Sequence, residues 1–97
     1  MRDSIFSGDY SISYQAAAGA NKVIKASAGK LKAIIVGKAV NSGVIEVSDH
    51  ASDGDGNVKI YLEGNTLGPA VYEIDVVFSI GICVDQTTQT NVAYIYE

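Results

Sequence analysis

The sequence predicts an all-β fold: an antiparallel β-sandwich of about eight strands, jelly-roll-like or immunoglobulin-like. Three observations predict it. Apolar and polar residues alternate with period two along most of the chain. Turn residues interrupt that alternation every eight to twelve residues or so, the spacing of sandwiches and barrels. The one stretch with helix propensity, QAAAGA, is too short to hold a helix.

The strands follow in order. YSISY sets Tyr10, Ile12 and Tyr14 against Ser11 and Ser13. NKVIKASA is a short strand with weak alternation. KLKAIIVGKAV carries Leu31, Ile34, Ile35 and Val36, so its alternation breaks near Ala33. A central strand buried on both sides, or a bulge, explains such a break. VIEVS sets Ile45 and Val47 against Val44, Glu46 and Ser48. VKIYLE sends Val58, Ile60 and Leu62 one way. YEIDVVF is the cleanest strand, with Tyr72, Ile74, Val76 and Phe78 opposite Glu73 and Asp75. IGICVD groups Ile80, Ile82 and Val84, and NVAYIY groups Val92, Tyr94 and Tyr96. These residue types suit a pleated, half-buried surface. The breaks between them (AAAGAN, SAGK, NSG, SDGDGN, GNTLGP and DQTTQTN) are rich in turn formers. The single Cys and the absence of Trp leave out the core features of antibody domains, so any immunoglobulin likeness is architectural.

Ninety-seven residues make one domain. Within it, residues 1–21 read as an N-terminal arm and first strand, and 22–97 as the sandwich body. A chain this short has a thin core, and such chains often draw stability from a partner or an oligomer. Apolar residues make up 47% and charged residues 19%, so disorder is not expected. A mean hydropathy of +0.16 is high for a small monomer and points to apolar surface covered by something else. MRDSIFSGDYS has no apolar leader core, and no apolar run approaches the ~18 residues of a membrane helix. The expectation is a protein made in the cytoplasm with no membrane partner.

The net charge of −4 disfavours nucleic acid as a partner. Its distribution is uneven. Residues 10–45 hold five lysines (Lys22, Lys25, Lys30, Lys32 and Lys38) and no acid, while residues 46–97 hold nine acids and one base, Lys59. Either two solvated faces arose this way, or a positive patch meets a negative one on a neighbouring subunit.

Motifs for chemistry are sparse. SDHASDGDGN resembles a calcium loop, with Asp49, Asp53, Asp55 and Asn57 near Gly54 and Gly56. Aligned as an EF-hand it fails. Starting at Asp53 puts Val58 where Gly is needed and Gly64 where a bidentate Glu is needed. The other register puts Ala51 at the first position and Leu62 at the last. It reads as a turn. His50 neighbours Asp49, but neighbours in a strand point to opposite faces, so this is not read as an acid/base pair. Cys83 sits mid-strand in an acid-rich segment and reads as a small buried apolar residue. One Cys and one His cannot build a thiolate metal site, and no Gly-Lys-Ser/Thr phosphate loop is present. No cofactor and no catalytic residue is expected. An aromatic platform for sugar would draw on Tyr61, Tyr94 or Tyr96.

The stretch NKVIKASAGKLKAIIVGKAVNSGVIEVSDHA has a Val/Ile-Lys pair at Ile24-Lys25, a turn at Gly29, an aliphatic strand from Leu31 to Val36, a turn at Gly43 and a strand ending in Asp49. VKIYLEG, VYEIDVVF, SIGICVD and a last strand rich in Tyr follow. This order resembles a pattern in small virion proteins of tailed bacteriophages, of the capsid decoration or cement type, over residues 22–97. The resemblance implies a non-enzymatic structural protein on the outer capsid surface of a virion, with the major capsid protein as partner and a homotrimer or homodimer as its own state. The contact surfaces expected on this reading are the lysine segment (Lys22, Lys25, Lys30 and Lys32) and an arm that docks Ile5 and Phe6. The alternative is a tail or fibre component that binds carbohydrate or a cell surface.

Overall fold

A computed structural model describes residues 9–38, 40–52, 57–63 and 69–97. The described residues form eight strands and no helix: β1 (Ser11–Gln15), β2 (Gly19–Lys25), β3 (Gly29–Val36), β4 (Val44–Asp49), β5 (Asn57–Glu63), β6 (Ala70–Phe78), β7 (Ile82–Thr87) and β8 (Val92–Tyr96). They make two antiparallel sheets of four, ordered β1-β8-β3-β6 and β2-β7-β4-β5. Early strands pair with late ones: β1 with β8, β2 with β7, β3 with β6 and β4 with β5. The chain is thus one long hairpin folded at the β4–β5 connection and rolled so that its halves face each other. That is the jelly-roll order; an immunoglobulin order would place consecutive strands side by side differently. β1 and the start of β2 are integral to the sandwich, so its described body opens at Ser11.

The inner faces supply the core. Ile24, Leu31, Ile34, Val36, Ile45, Val47, Phe78, Ile82, Val84, Val92 and Tyr94 form one buried cluster drawn from both sheets. The expected break near Ala33 is a bulge. From Leu31 to Ala33, β3 advances two residues while β8 advances one, from Tyr96 to Ile95. Across the same step β6 advances three, from Val76 to Glu73, and takes the slack at Asp75 with φ 58°. The bulge lets Leu31 and Ile34 both enter the core while Ala33 turns outward.

Three segments depart from the sequence expectation. Val58 is half exposed and does not join Ile60 and Leu62. Relative to β4, β5 carries an extra residue, Lys59, between Val58 and Ile60, and one extra residue flips the face. Ile80 is outside β7 and exposed, in the β6–β7 turn. Ile12 and Tyr14 point outward: Ser13 pairs with the core residue Tyr94, so the Ser side of β1 faces in.

Buried polar groups close both ends. At one end the Asp49 carboxylate accepts from the backbone N–H of Ile80 (2.7 Å), Ser79 (3.1 Å) and Gly81 (3.2 Å), and from the Ser79 hydroxyl (2.9 Å). Burial alone would raise its pKa; the Ile80, Ser79 and Gly81 donors and the Ser79 hydroxyl outweigh it and hold the group at about 2. Lys59 Nζ lies 3.8 Å from Asp49 and donates to the Val77 carbonyl at 3.1 Å, joining edge strands β5 and β6. At the other end the Tyr94 hydroxyl donates to Gln86 Oε1 at 2.7 Å, linking the two sheets. Burial drives the Tyr94 pKa up, so it stays a donor. Gln86 Nε2 donates to the carbonyls of Ala17 and Gln89, and Gln89 Nε2 to those of Lys38 and Thr90. Two glutamines thereby tie three loops. Gly43 packs against this pair: an added Cβ would push Gln89 Oε1 aside.

Candidate functional site

Nothing among the described residues gathers into a reaction centre. Asp49 spends its oxygens on the β6–β7 turn, and His50 Nδ1 accepts from the Ser52 N–H at 3.1 Å, so the two do not act as a pair. Cys83 is fully buried. Among the described residues no group of His, Cys, Asp or Glu is placed to hold a metal ion. The segment that resembles a calcium loop joins β4 to β5, with Asp49 paired to Asn57 across the hairpin; Asp53 and Asp55 lie outside the described residues. Among the described residues no helix is long and apolar enough to cross a membrane.

The expected contact residues are divided. Ile5 and Phe6 lie outside the described residues. Lys22 and Lys25 stand on β2, an edge of one sheet, and Lys30 and Lys32 on β3, inside the other. Lys30 Nζ meets Asp75 at 2.8 Å, and that hydrogen bond raises the Lys30 pKa. Lys32 Nζ lies 3.8 Å from Glu97. Lys25 runs over Gly29, where an added Cβ would sit 3.2 Å from its Nζ and 2.6 Å from the Glu97 carbonyl. Lys25, Lys30 and Lys32 therefore gather at one end of the β1-β8-β3-β6 sheet, around Glu97. At Lys30 and Lys32 the uneven charge of the sequence is answered within the chain, because the roll pairs an early strand with late ones.

The outer face of that same sheet is the surface that sequence reasoning missed. Paired residues share a face, and two neighbouring rows cross it in register. One runs Ile12, Ile95, Ala33, Glu73 and the next Tyr14, Ala93, Ile35, Val71; both span all four strands, and Glu73 makes the β6 end of the first row acidic. Ile95 and Ala33 are buried, while Ile12 is 57% exposed, Tyr14 59% and Val71 50%. Lys30 and Val77, a register pair, border the face at the lysine end, with Val77 exposed. The Tyr14 hydroxyl donates to Asn91 Oδ1 at 2.7 Å, which fixes the ring. The apolar exposure on this face lies toward its two edge strands, at Ile12 and Tyr14 on β1 and Val71 on β6. A signal for it stood in the sequence: Ile35 and Ile34 are both large, although they point to opposite faces of one strand.

The other sheet turns out a different face. Its register rows are Asp85, Glu46, Tyr61, with Thr87, Val44, Glu63 on one side and Val23, Cys83, Ser48, Val58 on the other, the last with exposed valines at its two ends. Asp85 also accepts from the Asn21 N–H at 2.6 Å. Of the tyrosines considered for a sugar platform, Tyr61 is exposed, Tyr94 is fully buried and Tyr96 packs against the core. The platform therefore does not include Tyr94.

No family model matches the chain, and no similar curated protein or solved structure was found.

Proposed function

We propose that this protein is a non-enzymatic structural component of a phage particle, which binds the outer capsid surface and reinforces contacts between major capsid subunits. The observation that carries the reading is the outer face of the β1-β8-β3-β6 sheet, where Ile12, Tyr14 and Val71 are exposed and Lys30 pairs with exposed Val77 at the border. Burying that face against another protein would stabilise the contact by roughly 25 cal/mol per Å² of apolar area before association costs. The mechanism is binding energy alone. A copy that binds only the assembled shell raises the free energy needed to separate the subunits it bridges. The strand pattern from Ile24-Lys25 to Asp49, which resembles decoration proteins, supports the same reading.

The test is co-sedimentation of the purified protein with expanded, undecorated capsids of the phage that encodes it, at several salt concentrations. Saturable binding at a fixed ratio to capsid subunits, weakening only modestly with salt, is expected of an apolar contact with a charged rim. Absence of binding overturns the reading. One observation favours a tail or fibre module instead: Tyr14 on β1 and Tyr10 just before it are both exposed, and stacking on a sugar needs exposed rings. Retention on a glycan array without capsid binding would decide for it.

A further inference from the structure

A sandwich of two open sheets has four edge strands, here β1, β2, β5 and β6. An open edge is a template for another strand, and proteins blunt edges with charge, bulges or proline. Three of the four are blunted. β2 has two register shifts and carries Lys22 and Lys25. β5 has the Lys59 bulge and Glu63. β6 follows Pro69, carries Glu73 and Asp75, and kinks at Asp75. β1 has none of these. Ser11–Gln15 pairs with β8 in unbroken register over five residues, contains no charge and no proline, and is free along its other side among the described residues.

We propose that β1 is a self-association edge, which pairs antiparallel with β1 of a second copy about a two-fold axis at Ser13. The register is self-complementary. Ser13 meets Ser13, Ile12 meets Tyr14 of the other copy, and Ser11 meets Gln15. Aromatic against β-branched is a favourable cross-strand pair, and the axis makes it twice. The Ile12 and Tyr14 side chains, exposed in one copy, then close over each other on the outer face. The two rows continue into the partner, giving one eight-stranded sheet. The same operation opposes like charges at two of the other edges: about Lys22 it sets Lys22 against itself on β2, and about Ile74 it sets Glu73 against Asp75 on β6. A five-residue edge is a small interface beside the ~800 Å² per partner of a stable complex, so the dimer is weak and concentration-dependent. The inference stands apart from capsid binding.

Sedimentation velocity of the whole chain, up to about 100 μM, tests it. Wild type is expected to shift reversibly from monomer to dimer. I12K/Y14K opposes lysines across the axis and should weaken association by about tenfold or more. I12K/Y14E has the same two sites changed, but sets opposite charges across the axis, and should dimerise again, less so in high salt. Both sites are exposed, and circular dichroism verifies that each variant is folded. A wild type that stays monomeric, or an I12K/Y14E variant that dissociates as far as I12K/Y14K, overturns the proposal.

Discussion

Tyr14 and Tyr94 stand on neighbouring strands of one sheet, each mid-strand in an alternating segment, yet they do opposite things. Tyr94 is fully buried and its hydroxyl crosses the core to Gln86. Tyr14 is 59% exposed and its hydroxyl holds Asn91 on the surface. Alternation separates two faces of a strand but does not say which one is inside. On β8 the larger residues fill the core. On edge strand β1 the inward side is Ser13 and Gln15, which hydrogen-bond each other, and the apolar side, Ile12 and Tyr14, is exposed. An exposed apolar face and a buried polar group are the informative exceptions to the inside-out rule.

The largest effect expected is at the buried member. Tyr94→Ala should cost about 3 to 5 kcal/mol in urea unfolding, through a core cavity and an unpaired Gln86. A cost under about 1 kcal/mol would mean the two tyrosines differ less than their burial says.

Next comes the reverse exception, the buried carboxylate. The folded pKa of Asp49, about 2, lies below the ordinary 3.8. A depressed pKa stabilises above the unfolded value and is lost as pH falls through the folded one. Stability should therefore drop by about 2 kcal/mol between roughly pH 5 and pH 2, on account of this group. Asp49→Asn should lose about that much at pH 7 and show a flatter acid limb in denaturant titrations. An unchanged acid limb in the variant would remove Asp49 from the account.

A stabilised background would make small effects on β1 easier to read. Thr88, between β7 and β8, holds φ at 65°, a region that β-branched residues disfavour. Thr88→Asn should raise stability by about 1 kcal/mol, seen as a higher thermal midpoint. The smallest stability effect is at the exposed member: Tyr14→Ala should change unfolding by within about 0.5 kcal/mol. The same substitution should weaken capsid co-sedimentation, which separates contact from folding.

The strands and their turns were legible because period two and turn chemistry are local. The break near Ala33 was legible too, as a two-sided strand or a bulge; that it is a bulge shows only in the pairing, which brings Leu31 and Ile34 into one core. Four things were not. The flip of Val58 depends on one extra residue, Lys59, judged against a partner strand. Asp49 looked like part of a loop because its donors lie some thirty residues on, at Ser79 to Gly81. Lys30 and Lys32 looked like a free basic segment because Asp75 and Glu97 reach them only through the roll. The outer face of the β1-β8-β3-β6 sheet is assembled from four segments spread from Ile12 to Ile95, and only the strand order brings them into rows.

The central claim is that this outer face, and not that of the other sheet, does the docking. The most direct measurement is capsid co-sedimentation of two matched variants, V71K and V58K. Each changes a half-exposed valine on an edge strand, one on either outer face. The account predicts that V71K loses binding while V58K keeps it. Equal binding by both, or loss by V58K alone, would contradict it.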